Sequence, residues 1–303
     1  MMHPVGRSSA RWASQFAIVI VAAVAAAAAL SGCQGAQGPR LHQQAQAALA
    51  RWADAVAGAG GQQGVVLVGE LSGQAGDWEL AVGDNNKRAL MSGVVEASVS
   101  LPVEAPADAQ VRWQGGATKT VRVISAQQAV AEIRAGAAQP CPDCVSLRIT
   151  GARLTTGSVE TSRGPATAPV WEFALQGTAV KVTRVAIADP ITVVLPPWNT
   201  DDAPIGISVD SASGTVGGRQ LTVAFVGAPL PGDQGCGADY SAEAVESATA
   251  VVGIVTEHPH GLFEACTAVG ARRTASVELA APLGERALLE VKQGLPVPVL
   301  LTP

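Results

Sequence analysis

Apolar residues recur at three- and four-residue intervals early in the chain. Leu41, Ala45, Ala48, Leu49, Trp52 and Val56 fall on one face of a 3.6-residue period, and Gly58, Gly60 and Gly61 follow. This spacing predicts an amphipathic helix over 41–57 that glycines stop. The pattern then changes. Residues 65–71, 94–101 and 111–113 read as strands, and 119–124 alternates apolar with polar positions. The pattern of 78–90 does not settle its type. Ser125 stands where a helix N-cap belongs, before a helical segment over 126–135 that Gly136 ends.

Beyond Gly136 the texture is β. Residues 145–154, 170–176 and 180–188 alternate or are β-branched, and Gly, Ser and Pro separate them as turns. The segment PPWNTDD at 196–202 reads as a linker. After it, 205–209, 221–226, 250–257, 275–280 and 287–292 form short strands, and no repeat of fixed period occurs. The expected architecture is an α+β N-terminal domain over 41–195, with helices and an antiparallel sheet. A mostly β, sandwich-like domain over 203–303 follows it. The order of strand, helix and antiparallel strands across 119–190 resembles small α+β modules such as PepSY-like or cystatin-like folds.

The N-terminus changes the picture of where this chain works. Arg7 and Arg11 precede a 15-residue apolar run over 16–30. A membrane span needs about 20 residues, so a basic head and a run this short read as a secretory signal peptide. Leu30-Ser31-Gly32-Cys33 resembles the lipobox of bacterial lipoproteins. That resemblance implies a signal peptide over 1–32 and lipidation of Cys33. Residues 33–40 would be a lipidated tether, and the chain would be held at the outer side of the cell membrane. One acyl chain binds membranes only marginally, so stable attachment implies several. Removing residues 1–32, which carry two Arg and no acid, takes the formal net charge from −5 to −7. The usage of Ala, Gly and Val, with 16 Arg against four Lys, is similar to that of exported actinobacterial lipoproteins. No activity comes with that likeness.

Composition bounds the rest. With 48% hydrophobic and 15% charged residues the chain can bury a core and is not disordered by composition. An acidic balance argues against a nucleic-acid partner, which would demand concentrated positive charge. Setting Cys33 aside leaves Cys141, Cys144, Cys236 and Cys266, an even number that in an exported chain favours disulfides. Three connectivities are open. Cys141–Cys144 with Cys236–Cys266 is preferred, because each pair lies within one local unit.

Candidate chemistry is sparse. Cys141-Pro142-Asp143-Cys144 has the spacing of a redox C-x-x-C motif, but the residues after it read as a strand rather than an opening helix, so a structural disulfide is expected. Glu257-His258-Pro259-His260 could offer metal ligands, yet it reads as a solvated turn without a third ligand. The patterns G-x-S-x-G, S-x-x-K and H-E-x-x-H do not occur. Beyond the signal segment, Trp52, Trp78, Trp113, Trp171 and Trp198 read as the large residues around which each core packs, Trp198 in the linker being the weakest case. These readings lead to no catalytic residue, cofactor or metal. The expected function is a non-enzymatic binding or scaffolding lipoprotein of the cell envelope, with the membrane and an envelope protein or cell-wall ligand as partners. The alternative is an envelope thiol–disulfide redox protein, or a hydrolase with an unrecognised site.

Overall fold

The computed structural model describes residues 37–303 except 62, 63, 81, 138, 197, 198, 262 and 263. The signal segment, Cys33 and Trp198 lie outside the described residues. In chain order come α1 (Gln37–Gly58), β1 (Leu67–Val68), β2 (Ser72–Ala75), α2 (Gly83–Met91), β3 (Val95–Ala97), β4 (Ala109–Trp113) and β5 (Thr118–Val121). Next are α3 (Ala126–Ala135), β6 (Leu147–Thr161), β7 (Gly164–Leu175) and β8 (Lys181–Val185). The C-terminal part holds β9 (Val209–Thr215), β10 (Gln220–Gly227), β11 (Ala238–Glu246), β12 (Ala250–Pro259), β13 (Ala271–Glu278), β14 (Ala287–Glu290) and β15 (Val299–Thr302). The protein is mostly β, with several antiparallel sheets.

A long hairpin, β6 with β7, is the spine of an eight-stranded sheet. Each spine strand changes partner along its length. The first half of β7 pairs with β4 and the second half with β8, while β6 takes β3 at one end and β1 at the other. Residues 155–169 had the composition of turns, but they continue both strands instead. The real turn is two residues long. Thr161 Oγ1 donates to the Gly164 carbonyl at 2.7 Å and accepts from the Arg163 and Trp113 N–H groups, and Gly164 takes φ +85°. Such a φ costs glycine nothing.

One face of this sheet is dry. Ala126, Ala129, Val130 and Ile133 of α3, with Ala89 of α2, pack on Ile149, Trp171, Phe173 and Val182. Ser125 Oγ accepts from the Gln128 N–H at 3.1 Å, so the expected N-cap forms. The segment at 78–90 resolves into α2, entered by a turn.

The C-terminal strands build two sheets, β13-β10-β9-β15 and β11-β12-β14. They face each other across Leu221, Val223, Phe225, Val251, Val255, Leu288 and Val299. The strand expected at 205–209 instead starts at Val209, and β11 and β15 were not expected. In β11 the residues packed on this core are Tyr240, Ala242 and Ala244, two small side chains and one with a polar hydroxyl, which leave a faint apolar signal.

Helix α1 begins at Gln37, inside the segment expected to be a tether. Its buried residues are Leu41, Ala45, Ala48, Leu49, Trp52 and Val56. They cover the outer face of the three-stranded sheet at Val245, Val252, Ile254, Leu289 and Val291. Residues expected to belong with 41–195 therefore share a core with strands from 203–303. Directional bonds fix the docking. Trp52 Nε1 donates to the Thr249 carbonyl at 3.2 Å, and Gln44 Nε2 donates to the Val291 carbonyl at 2.8 Å. Gln44 Oε1 also accepts from the Ile205 N–H at 3.1 Å. The spine hairpin is tied in as well, since the Val299 N–H donates to the Ser162 carbonyl at 3.0 Å and Arg163 pairs with Glu285.

Trp52 is 1% exposed, so Trp52→Ala removes a large buried side chain whose cavity α1 cannot refill. The expected loss in urea unfolding is about 3–5 kcal/mol, with a smaller loss for Trp52→Phe, which keeps most of the apolar surface.

Candidate functional site

The second face of the eight-stranded sheet is only partly filled. Val65, Leu67, Val111, Val159, Ala168 and Ile187 form a small core there. Beside it lies a cleft of about 410 Å³ between the 67–75 segment and strands β6, β7 and β8. Pairing explains the opening. Strand β3 pairs with β6 only as far as Ile149 and β1 begins at Glu160, so neither covers the edge of β6 between them. Gly157 keeps the wall of the cleft shallow, because a Cβ there would meet Val170 Cγ2 at 3.0 Å.

The floor is apolar, with Leu67, Val159, Val170 and Val185, and hydroxyls stand around it on Ser72, Thr155 and Thr183. Glu70 and Glu160 are exposed at the lip. The third carboxylate, Glu172, is neutralised in place. Its Oε2 accepts from Arg153 Nη2 at 2.7 Å and from Lys181 Nζ at 3.0 Å. The bond from Arg153, then the one from Lys181, holds this carboxyl below the ordinary carboxylate range. A concave surface with an apolar base, hydroxyl walls and acidic lips suits an elongated ligand of mixed polarity. Its residue types give no signal in the sequence, since Thr155, Gly157 and Thr183 resemble any strand or turn residues.

The cysteines pair as the local-unit argument preferred. Cys141–Cys144 and Cys236–Cys266 are bonded, with Cα separations of 5.4 and 5.6 Å. Their surroundings differ in charge. Arg88 Nη2 donates to Cys141 Sγ at 3.3 Å, whereas the Glu264 carboxylate accepts the Cys236 N–H. Glu264 and both sulfurs of the second pair lie within 4.8 Å of one another, but bonded sulfurs have no thiolate to offer a metal.

The Glu257–His260 segment is not a free turn. Strand β12 runs to Pro259, and His258 stands opposite Asp239 in the β11 register. Strand pairing sets Ser241 Oγ 2.8 Å from His258 Nε2. This brings His258 of β12 beside Asp239 and Ser241, which lie two residues apart on β11. All three side chains are exposed, and Asp239 Oδ1 accepts from the Gly232 N–H. Acyl transfer needs a desolvated pair with oxyanion donors, and this is a solvated hydrogen bond on an open strand. His260 Nδ1 lies 2.6 Å from Glu264 Oε1, which keeps that imidazole beside the second disulfide.

No protein-family model, curated protein or solved structure matches the chain. Among the described residues no helix is long and apolar enough to cross a membrane. Two disulfides fit an oxidising, extracytoplasmic setting.

The depressed pKa of Glu172 sets a pH dependence. Its stabilisation is fully present above the unfolded value near 4.5 and is lost as pH falls through the lower folded value. Arg153 and Lys181 are 67% and 41% exposed, so screening limits the effect. Glu172→Gln should cost about 1 kcal/mol in urea unfolding at pH 7, and the difference from wild type should vanish on acidification.

Proposed function

We propose that the chain is a membrane-anchored cell-envelope lipoprotein whose cleft is a non-enzymatic binding module. The lipid sits on Cys33, and the cleft beside β6 receives the ligand. The observation that carries this reading is the position of the lipobox directly before an ordered helix. Gln37 is four positions after Cys33, with three residues between them, a reach of at most about 14 Å when fully extended. A lipid at that point would hold the folded body close to the bilayer rather than on a long leash.

Three further features support the reading. Both disulfides require an oxidising compartment to persist. The net charge of −7 after removal of the signal favours a body that stays off an anionic surface and away from nucleic acid. The cleft has the shape and lining of a binding surface, and its one clustered carboxylate, Glu172, is tied down by two cations. Its partner is an envelope protein or a cell-wall ligand, presented within reach of the membrane.

Mass spectrometry of the N-terminal peptide from membrane-extracted protein should find a lipid-modified Cys33 as the first residue. Cys33→Ser should move the protein out of the membrane fraction. A processed Cys33→Ser form that stays with the membrane at high salt would overturn the anchor, and so would a mature N-terminus elsewhere in the chain.

A further inference from the structure

The two disulfides are a matched pair within one molecule, and their electrostatics run in opposite directions. A guanidinium touches the sulfur of Cys141, while a carboxylate sits beside Cys236. Reduction turns a neutral disulfide into thiols that can ionise. A cation at the sulfur favours the thiolate, and an anion disfavours it. Reduced Cys141 is therefore stabilised, and reduced Cys236 is not.

The turn that carries the first pair is built for access. The Cys144 N–H donates to the Cys141 carbonyl at 3.2 Å, closing a single turn in which Pro142 and Asp143 are exposed. Asn85 of α2 clamps the end of this turn, accepting from the Val145 N–H at 2.8 Å and donating to its carbonyl at 3.2 Å. Arg88, one helical turn further along α2, is thereby placed on the sulfur, and Asp84 lies 3.9 Å from its other amino group. Cys144 leans on the core below the sheet, so Cys141 is the outer sulfur. An apolar side chain follows the turn on the surface, Val145 at 71% exposure.

We propose that Cys141–Cys144 is a thiol–disulfide exchange centre that oxidises dithiols of exported polypeptides before they have buried their apolar residues. A substrate thiolate attacks Cys141 Sγ and expels Cys144 as thiolate, which takes a proton. The substrate's second thiolate then attacks its own sulfur in the mixed disulfide and expels Cys141 as thiolate beside Arg88. The substrate dithiol loses two electrons to the cysteine pair and two protons, one of which ends on Cys144 and the other in solvent, leaving Cys141 as thiolate. Val145 offers the still-unfolded segment apolar contact. This role is independent of the cleft and its ligand.

The test uses the full-length protein with Cys236–Cys266 as internal reference. In graded glutathione buffers, differential alkylation read by mass spectrometry should show Cys141–Cys144 opening under conditions about tenfold less reducing than the reference pair. Arg88→Ala should slow alkylation of reduced Cys141 at neutral pH about threefold to tenfold, and Arg88→Lys should restore much of the rate. Cys144→Ser, carrying Cys141 as a mixed disulfide with glutathione, should exchange with an unfolded peptide that has a single cysteine and be trapped as a covalent adduct, because no second substrate thiol can resolve it. Equal opening of the two pairs, an alkylation rate indifferent to Arg88, or no adduct would each overturn the proposal.

Discussion

The docking of α1 on the outer face of the β11-β12-β14 sheet is the contact on which the rest of the structure depends. That sheet has apolar residues on both faces. Val251, Val255 and Leu288 point into the sandwich, while Val252, Ile254 and Leu289 point outward. A sheet apolar on both sides must be covered twice. The four-stranded sheet covers one side, and α1 covers the other through Trp52 and the small residues Ala45 and Ala48, which let the helix axis come close. The first described helix and strands β11, β12 and β14 are thus a single packing unit, and the spine hairpin is held between them in sequence.

This arrangement divides labour over the molecule. The eight-stranded sheet gives one face to α2 and α3 and keeps the other for a small core and an open cleft. The cleft exists because β6 is longer than the partners available on one of its edges. Its polar end is rigid, since Glu172 bridges Arg153 on β6 and Lys181 on β8. The exposed Cys141–Cys144 turn sits on the helix side of the same sheet, held by α2, away from the strands that line the cleft.

Local patterns were legible in the sequence where a side chain reports its own environment. The 3.6 period of residues 41–56 named all six buried positions of α1, and Ser125 and Gly136 bracketed α3. The cysteine pairing followed from proximity along the chain. What α1 covers was not legible, because Val252, Ile254 and Leu289 lie some 200 residues later and carry no mark of their partner. Residues 155–169 read as turns because Thr, Ser, Gly and Pro lack apolar alternation, yet cross-strand pairing with β7 holds them extended. The cleft was invisible for a related reason. It is made by register and strand length rather than by distinctive residues. The Ser241–His258 contact likewise depends on the β11–β12 register, which no local pattern specifies.

Hydrogen–deuterium exchange of the full-length protein tests the central claim that α1 is an integral layer of the sandwich. Amides over 45–56 should exchange as slowly as those of β10 and β12, because α1 opens only when the sheet beneath it does. Exchange of α1 within seconds, while β10 and β12 remain protected, would contradict the account.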